Sequence, residues 1–169
     1  MDTIEALMTR RSIRQYTAAP VPDALVEEIL RAAMAAPSAA NAQPWQFVIF
    51  TDRALIEELA AIHPAGGMLK DAALGILICG DLAREVYAGF WVQDCSAAVE
   101  NLLLAAHARG LGAVWIGIYP MESGVSVIRK RFGLPDSIIP LALVPIGWPA
   151  EELPGEDRYD PARVHRNGW

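Results

Sequence analysis

Behind Pro22 and Asp23, apolar residues recur at the spacing of one helical face: Leu25, Val26, Ile29, Leu30, Ala33 and Met34. The pattern predicts a helix there, ended by Pro37. Thr3 to Met8 reads as a shorter helix and TDRALIEELAAI, residues 51–62, as another. The longest helical pattern covers residues 84–109 and stops at Gly110, and SVIRKRFG closes a further short helix on Gly133. Four apolar runs read as strands: WQFVIF (45–50), Ala73 to Cys79, GAVWIGIYP (112–120) with a corner at its end, and IIPLALVPIG (138–147). HPAGGM is a glycine-rich break, and Trp148 to Trp169 is a polar tail. Strands separated by helices predict a sheet covered on both faces.

A chain of 169 residues that is 53% hydrophobic buries one core, and two independent domains would each be small, so a single domain over 1–169 is expected. The net charge of −6 argues against nucleic acid or an anionic membrane as the main partner, while leaving room for a local basic cluster that holds one phosphate. MDTIEALMTRR carries acids where a signal peptide carries bases, and no apolar run approaches the roughly 18 residues of a spanning helix, so the expected location is the cytoplasm. Cys79 and Cys95 form neither a CxxC motif nor a disulfide framework and read as buried free thiols.

The segment PSAANAQP, between the second helix and the first strand, offers the hydroxyl of Ser38 and the amides of Asn41 and Gln43, with Ala39 and Ala40 keeping the backbone approachable. It suits a grip on a flat, polar-edged ligand, or a plain capped turn. In an extended RRSIR, alternation puts Arg10, Ser12 and Arg14 on one side and Arg11 and Ile13 on the other. Two guanidiniums and a hydroxyl make a clamp for a dianion, or a solvated basic turn at a helix C-terminus. His63, His107 and His165 lack metal-ligand spacing, and no metal is expected. Ser12 and Ser38 lack a nucleophile-elbow context, and the GLG at 110–112 follows a helix and opens a strand, the reverse of a dinucleotide fingerprint. Asp94 and Asn101 share a helix face with Ala97 and Ala98, which reads as a packing face for another helix.

RRSIRQY, PSAANAQPWQFVIF, WVQDCSAAVENLLLAAHARGLGAVWIGIYP and the terminal RVHRNGW, in this order and spacing, together resemble the FMN-dependent nitroreductase family over essentially the whole chain. The resemblance implies an α+β fold in which helices sandwich a central mixed, mainly antiparallel sheet in α/β/α layers. It implies FMN as cofactor, NADH or NADPH as donor, and a nitroaromatic, quinone or similar small acceptor reduced in ping-pong fashion. Arg10, Ser12 and Arg14 correspond to the residues that hold the FMN phosphate and ribityl end, with Arg11 acting mainly through its backbone. Pro37, Ser38, Ala39 and Asn41 correspond to a loop usually presented by the partner subunit, with Gln43 as a further amide donor, so a homodimer with FMN at its interface is implied. Trp115, Ile116, Gly117 and Ile118 match a corner whose backbone faces the flavin ring. A second phosphate ligand from the tail matches Arg158, with Arg166 as the alternative. Phe90, Trp91 and Tyr119 are aromatic walls for the acceptor or core residues, and the flavin rather than any side chain carries the chemistry. Two other readings stay open: a relative of the same fold acting on one dedicated substrate, and an FMN-binding module without turnover.

Overall fold

The structure, a computed structural model, describes residues 1–62 and 65–169, so His63 and Pro64 of the glycine-rich break lie outside it. Helix α1 (Thr3–Thr9) begins with a capping box in which the Asp2 carboxylate accepts from the Glu5 amide and the Glu5 carboxylate accepts from that of Asp2. Helix α2 (Asp23–Met34) follows, then β1 (Trp45–Phe50) and α3 (Arg53–Ile62). Next come β2 (Leu74–Asp81), α4 (Trp91–Ala108), the short β3 (Gly112–Ala113) and β4 (Ile116–Gly117), α5 (Glu122–Phe132) and β5 (Ile138–Gly147). The strands form one sheet in the order β1-β2-β5-β3, with β4 also on β5, and every pair is antiparallel.

Alternation along the central strands sorts the core into two layers. Ile76 and Ile78 of β2 join Val26, Ile29 and Ala33 of α2 and the inner face of α4, whereas Leu77 and Cys79 join Ile56 and Leu59 of α3 and Ile128 of α5. The face of α4 that carries Asp94, Ala98 and Asn101 packs within the chain: Ala98 is fully buried, and Asn101 Nδ2 donates to the Ala32 carbonyl of α2 at 3.1 Å. Cys79 and Cys95 are buried free thiols on opposite sides of β2, and burial pushes both up to about 12.

Two boundaries differ from the sequence reading. The long helix starts at Trp91 instead of residue 84, because Leu82–Arg84 makes a separate 3₁₀ turn and Gly89 takes a left-handed conformation (φ 88°) that a helix cannot include. The run from 112 to 120 is two short strands. Both keep the same register against β5, which places Val114 opposite Pro145, and a proline has no amide proton for the ladder.

Candidate functional site

The basic segment leaves α1 and lies along the open edge of the sheet. Ile13 N–H donates to the Ala113 carbonyl at 3.0 Å, Thr17 N–H to that of Trp148 at 2.8 Å, and Tyr16 bridges to Pro149. Ile13 is 9% exposed, seated where Gly112 has no side chain, since a Cβ there would come within 2.6 Å of it. Tyr16 points inward too: its hydroxyl donates to the Ile13 carbonyl at 2.6 Å, and burial first, then the Glu151 charge, raise its pKa. These anchors turn Arg10, Ser12 and Arg14 outward.

They meet the tail there. A recess of about 170 Å³ is lined by Arg10, Arg11, Ser12, Arg14, Leu153 and Arg158. Arg11 departs from simple alternation, because its long side chain reaches the recess by donating to the Pro154 carbonyl. Of the two tail arginines considered, Arg158 lines the recess and Arg166 does not. Glu151 shapes the segment from behind: its Oε1 accepts from the amides of Arg14 and Gln15, at 2.5 and 3.1 Å. Arg10 pairs with Glu100 of α4 at 3.3 Å and Arg158 with Glu156 at 3.0 Å. Beside Arg10, His107 Nε2 lies 2.8 Å from the Thr9 hydroxyl, and burial first, then the Arg10 charge, lower its pKa.

The loop after α2 is a second, separate element. Ala39–Asn41 forms a 3₁₀ turn, and Ala40, Asn41 and Gln43 sit at φ 50°, 55° and 48°, the left-handed region. Ser38 Oγ accepts from the Gln43 amide at 3.0 Å, Gln43 Nε2 donates to Asn41 Oδ1 at 3.0 Å, and Arg84 Nε donates to the Gln43 carbonyl at 3.2 Å. Asp94 Oδ1 accepts from the Ala39 amide at 3.0 Å. Asp94 is 6% exposed, the sole buried charged residue among those described. Pro37, Asn41 and Gln43 face solvent, and Ser38 and Ala39 are half-buried. No residue of 37–43 lines the arginine recess.

Along the sheet edge, Ile116 and Ile118 point into the core, and the amides of Ile118 and Tyr119 both donate to the Leu141 carbonyl. The corner from Trp115 to Ile118 therefore offers a ligand backbone atoms and the half-buried Trp115 and Gly117, not the isoleucine side chains. Just beyond it, Tyr119 and Trp91 meet edge-on at 4.9 Å and both line a groove of about 780 Å³ between α5 and the β2–α4 connection. Phe90 turns toward Tyr87 instead and is absent from that lining. His165 stacks on Trp169 in the exposed tail, and His63 lies outside the described residues. Among the described residues no group of three His, Cys, Asp or Glu side chains is placed to hold a metal, and no helix is long and apolar enough to cross a membrane.

The sequence reading places Asp94 on a helix-packing face and does not single out Glu151, whereas the structure has these two acids hold the loop and the arginine segment. Their hydrogen-bond partners lie 55 and 137 residues away in the chain, so no local motif announces them.

Comparison with known proteins gives the family and the fold. A family model described as the nitroreductase family matches residues 7–65 and 62–148. A protein of Methanothermobacter thermautotrophicus, provisionally named NADH dehydrogenase/NAD(P)H nitroreductase, is 48% identical over 169 residues, covering 100% of this chain and 88% of the relative. A crystal structure of a protein of the same provisional name from Parabacteroides distasonis superposes with a TM-score of 0.95 at 40% identity, covering 99% of this chain and 98% of that one. An FMN-dependent nitroreductase from Clostridium difficile superposes at 0.91 with 29% identity, over 99% of this chain and 100% of that one.

Proposed function

Because the chain belongs to the nitroreductase family, we propose that it is an NAD(P)H-dependent FMN oxidoreductase, a single-domain subunit that delivers electrons to a nitroaromatic, quinone or similar small acceptor. The observation that carries this reading is the recess in which Arg10, Arg11, Ser12, Arg14 and Arg158 converge. Guanidinium forks and a hydroxyl fit a terminal phosphate dianion, the group a flavin mononucleotide presents. When bound, the flavin supplies the redox chemistry, taking a hydride equivalent from reduced nicotinamide and returning electrons to the acceptor in alternating half-reactions.

The protein's own part is to hold and to polarise. Arg10, Arg14 and Arg158 hold the phosphate, with Arg11 lending its side chain as well as its backbone, and Ser12 the ribityl end. The corner at Trp115 to Ile118 would lie beside the ring, apart from the Ile118 amide that donates to Leu141, and amides aimed at the ring would stabilise negative charge that grows on reduction. Ser38, Asn41 and Gln43 supply further donors to the ring edge.

The same residues support a homodimer. Asp94 holds the loop and Glu100 meets the recess, and six residues of helix separate them by roughly 120° around α4. No residue of 37–43 lines the recess, which is consistent with the family arrangement in which the loop serves the flavin of a second copy. Helix α1 also turns Ile4, Leu7 and Met8 to solvent at 68%, 49% and 55% exposure, an apolar face suited to a subunit contact.

The test is anaerobic titration of the purified protein with NADH or NADPH, followed at the flavin absorbance, then addition of nitrobenzene or benzoquinone. Bleaching by a donor and recovery on acceptor are expected. A flavin that neither nucleotide bleaches would identify a binding module without turnover.

A further inference from the structure

The groove beside Trp91 and Tyr119 has a lining that the flavin reading does not use. At about 780 Å³ it has the size of a small-molecule site, with Leu134 among its apolar walls. Its charges are segregated along α5. Arg129 and Lys130 lie at the C-terminal turn, and Glu122, also in the lining, sits seven residues earlier, about 10 Å along the axis and next to the Tyr119 end. Cations in a last turn complement the helix dipole, which accounts for surface charge there.

It does not account for Arg129 Nε. This is the one buried side-chain nitrogen or oxygen among the described residues without a hydrogen-bond partner. The side chain is thus under-bonded at a closed atom, and the part of it that is 29% exposed is what the groove can reach. The guanidinium is fixed at its other edge, where Nη2 donates to the Pro135 carbonyl at 3.2 Å and to Asp136 Oδ1 at 3.0 Å. Asp136, a further carboxylate of the lining, is fully exposed at 111%, so that pair is solvated and weakly held. Lys130 has no carboxylate partner among the described residues.

We propose that this groove receives the electron acceptor and selects one carrying a carboxylate or sulfonate on an aromatic or quinonoid ring. The ring lies against the exposed Tyr119, which Trp91 backs from the core, and the anion reaches Arg129 with Lys130 beside it. Glu122 repels the anion from the opposite end and so fixes the orientation. The proposal rests on the flavin oxidoreductase reading, since Tyr119 of the lining directly follows the Trp115 to Ile118 corner assigned to the ring.

Calorimetric binding of benzoate and of neutral benzamide to the FMN-loaded protein tests it directly, alongside kcat/KM for 4-nitrobenzoate and nitrobenzene with NADH. Charge-assisted bonds to Arg129 predict benzoate binding tighter than benzamide by roughly tenfold to a hundredfold, and the same direction in kcat/KM. Arg129→Gln should erase the preference for benzoate over benzamide, and Arg129→Lys should restore part of it. Arg131→Gln is the control, because Arg131 pairs with Glu58 at 2.7 Å and is absent from the lining, and it should keep the preference. Equal binding of the two probes by the unmodified protein overturns the proposal. So does an Arg129→Gln variant that loses affinity for NADH while keeping its preference for benzoate, since the groove would then belong to the donor. A bound flavin that neither NADH nor NADPH bleaches refutes the oxidoreductase reading instead, and the benzoate comparison still decides the groove.

Discussion

Replacing Asp94 by alanine removes the acceptor that ties the Ser38–Gln43 loop to α4. The lost bond runs from the Ala39 amide to a carboxylate at 3.0 Å, and bonds to charged groups contribute about 1.5 to 3 kcal/mol. Against it stands the conformation it holds. A left-handed residue other than glycine costs roughly 1 to 2 kcal/mol, so Ala40 and Gln43 together hold about 2 to 4 kcal/mol, with Asn41 tolerating the region better. Tether and strain are of the same size, so the loop should leave its conformation once the tether is gone. The lost tether sets an upper bound of roughly 3 to 12 °C on the fall in melting temperature for a chain this long, because relaxation of the loop returns part of its strain. FMN affinity should fall about tenfold. Asp94→Asn keeps Oδ1 as a neutral acceptor, and neutral bonds are about half as strong, so it should show roughly half the thermal shift and regain most of the flavin affinity. Thermal melts of the flavin-free protein and fluorescence titration with FMN give both numbers. The reasoning is refuted if alanine and asparagine variants melt alike and both bind FMN as the unmodified protein does.

Other expectations concern the recess and the buried groups. Arg14→Ala or Arg158→Ala should weaken FMN binding by roughly tenfold to a hundredfold in a flavin titration, and unchanged affinity would remove that residue from the phosphate site. His107 has a pKa lowered from 6.5, so the unfolded chain binds the proton more readily; its contribution to stability is complete above about 6.5 and lost as pH falls through the lower folded value. Melting temperatures of a His107→Gln variant should therefore fall less between pH 7 and 5 than those of the unmodified protein, with turnover kept within about tenfold; an unchanged acid limb would exclude His107 as its source. Cys79 and Cys95, fully buried and shifted up to about 12, should resist iodoacetamide at pH 8 until the protein is denatured, as mass spectrometry of the native and unfolded protein will show.

How much of this was legible depended on how far each cause lies along the chain. The helices α2 and α3 announce themselves because Val26, Ile29 and Ala33, or Ile56, Leu59 and Ala60, repeat at helical spacing and are buried as that spacing implies. The break between β3 and β4 does not, since its cause is Pro145 on another strand, felt only through the sheet register. The start of α4 was missed because apolar spacing carries on through residues 84–90 while the backbone of Gly89 does not. RRSIR is visible as a cluster of charge, yet the fourth guanidinium of the recess, Arg158, is chosen over Arg166 by folding and not by any pattern in the tail. The Asp94–Asn101 face shows both outcomes: Asn101 packs on α2 as small neighbours suggest, whereas Asp94 reaches back to the loop.

The recess also resolves an apparent conflict in charge, since a chain of net charge −6 gathers four arginines at one point. Left alone, four guanidiniums would repel one another, and the acids at the rim relieve this: Glu100 meets Arg10, and Glu156 meets both Arg11 and Arg158. These acids are 44% and 53% exposed, and solvated pairs of that kind contribute about 0 to 1 kcal/mol each. A phosphate dianion accepting from several of the same groups gains about 1.5 to 3 kcal/mol per bond, so it displaces the rim acids instead of being excluded by them. A long polyanion meets different conditions, because beyond the recess it encounters the acidic remainder of the surface, screened only over about 8 to 10 Å at ordinary salt. The arrangement thus favours a single terminal phosphate over a long polyanion with the same set of charges.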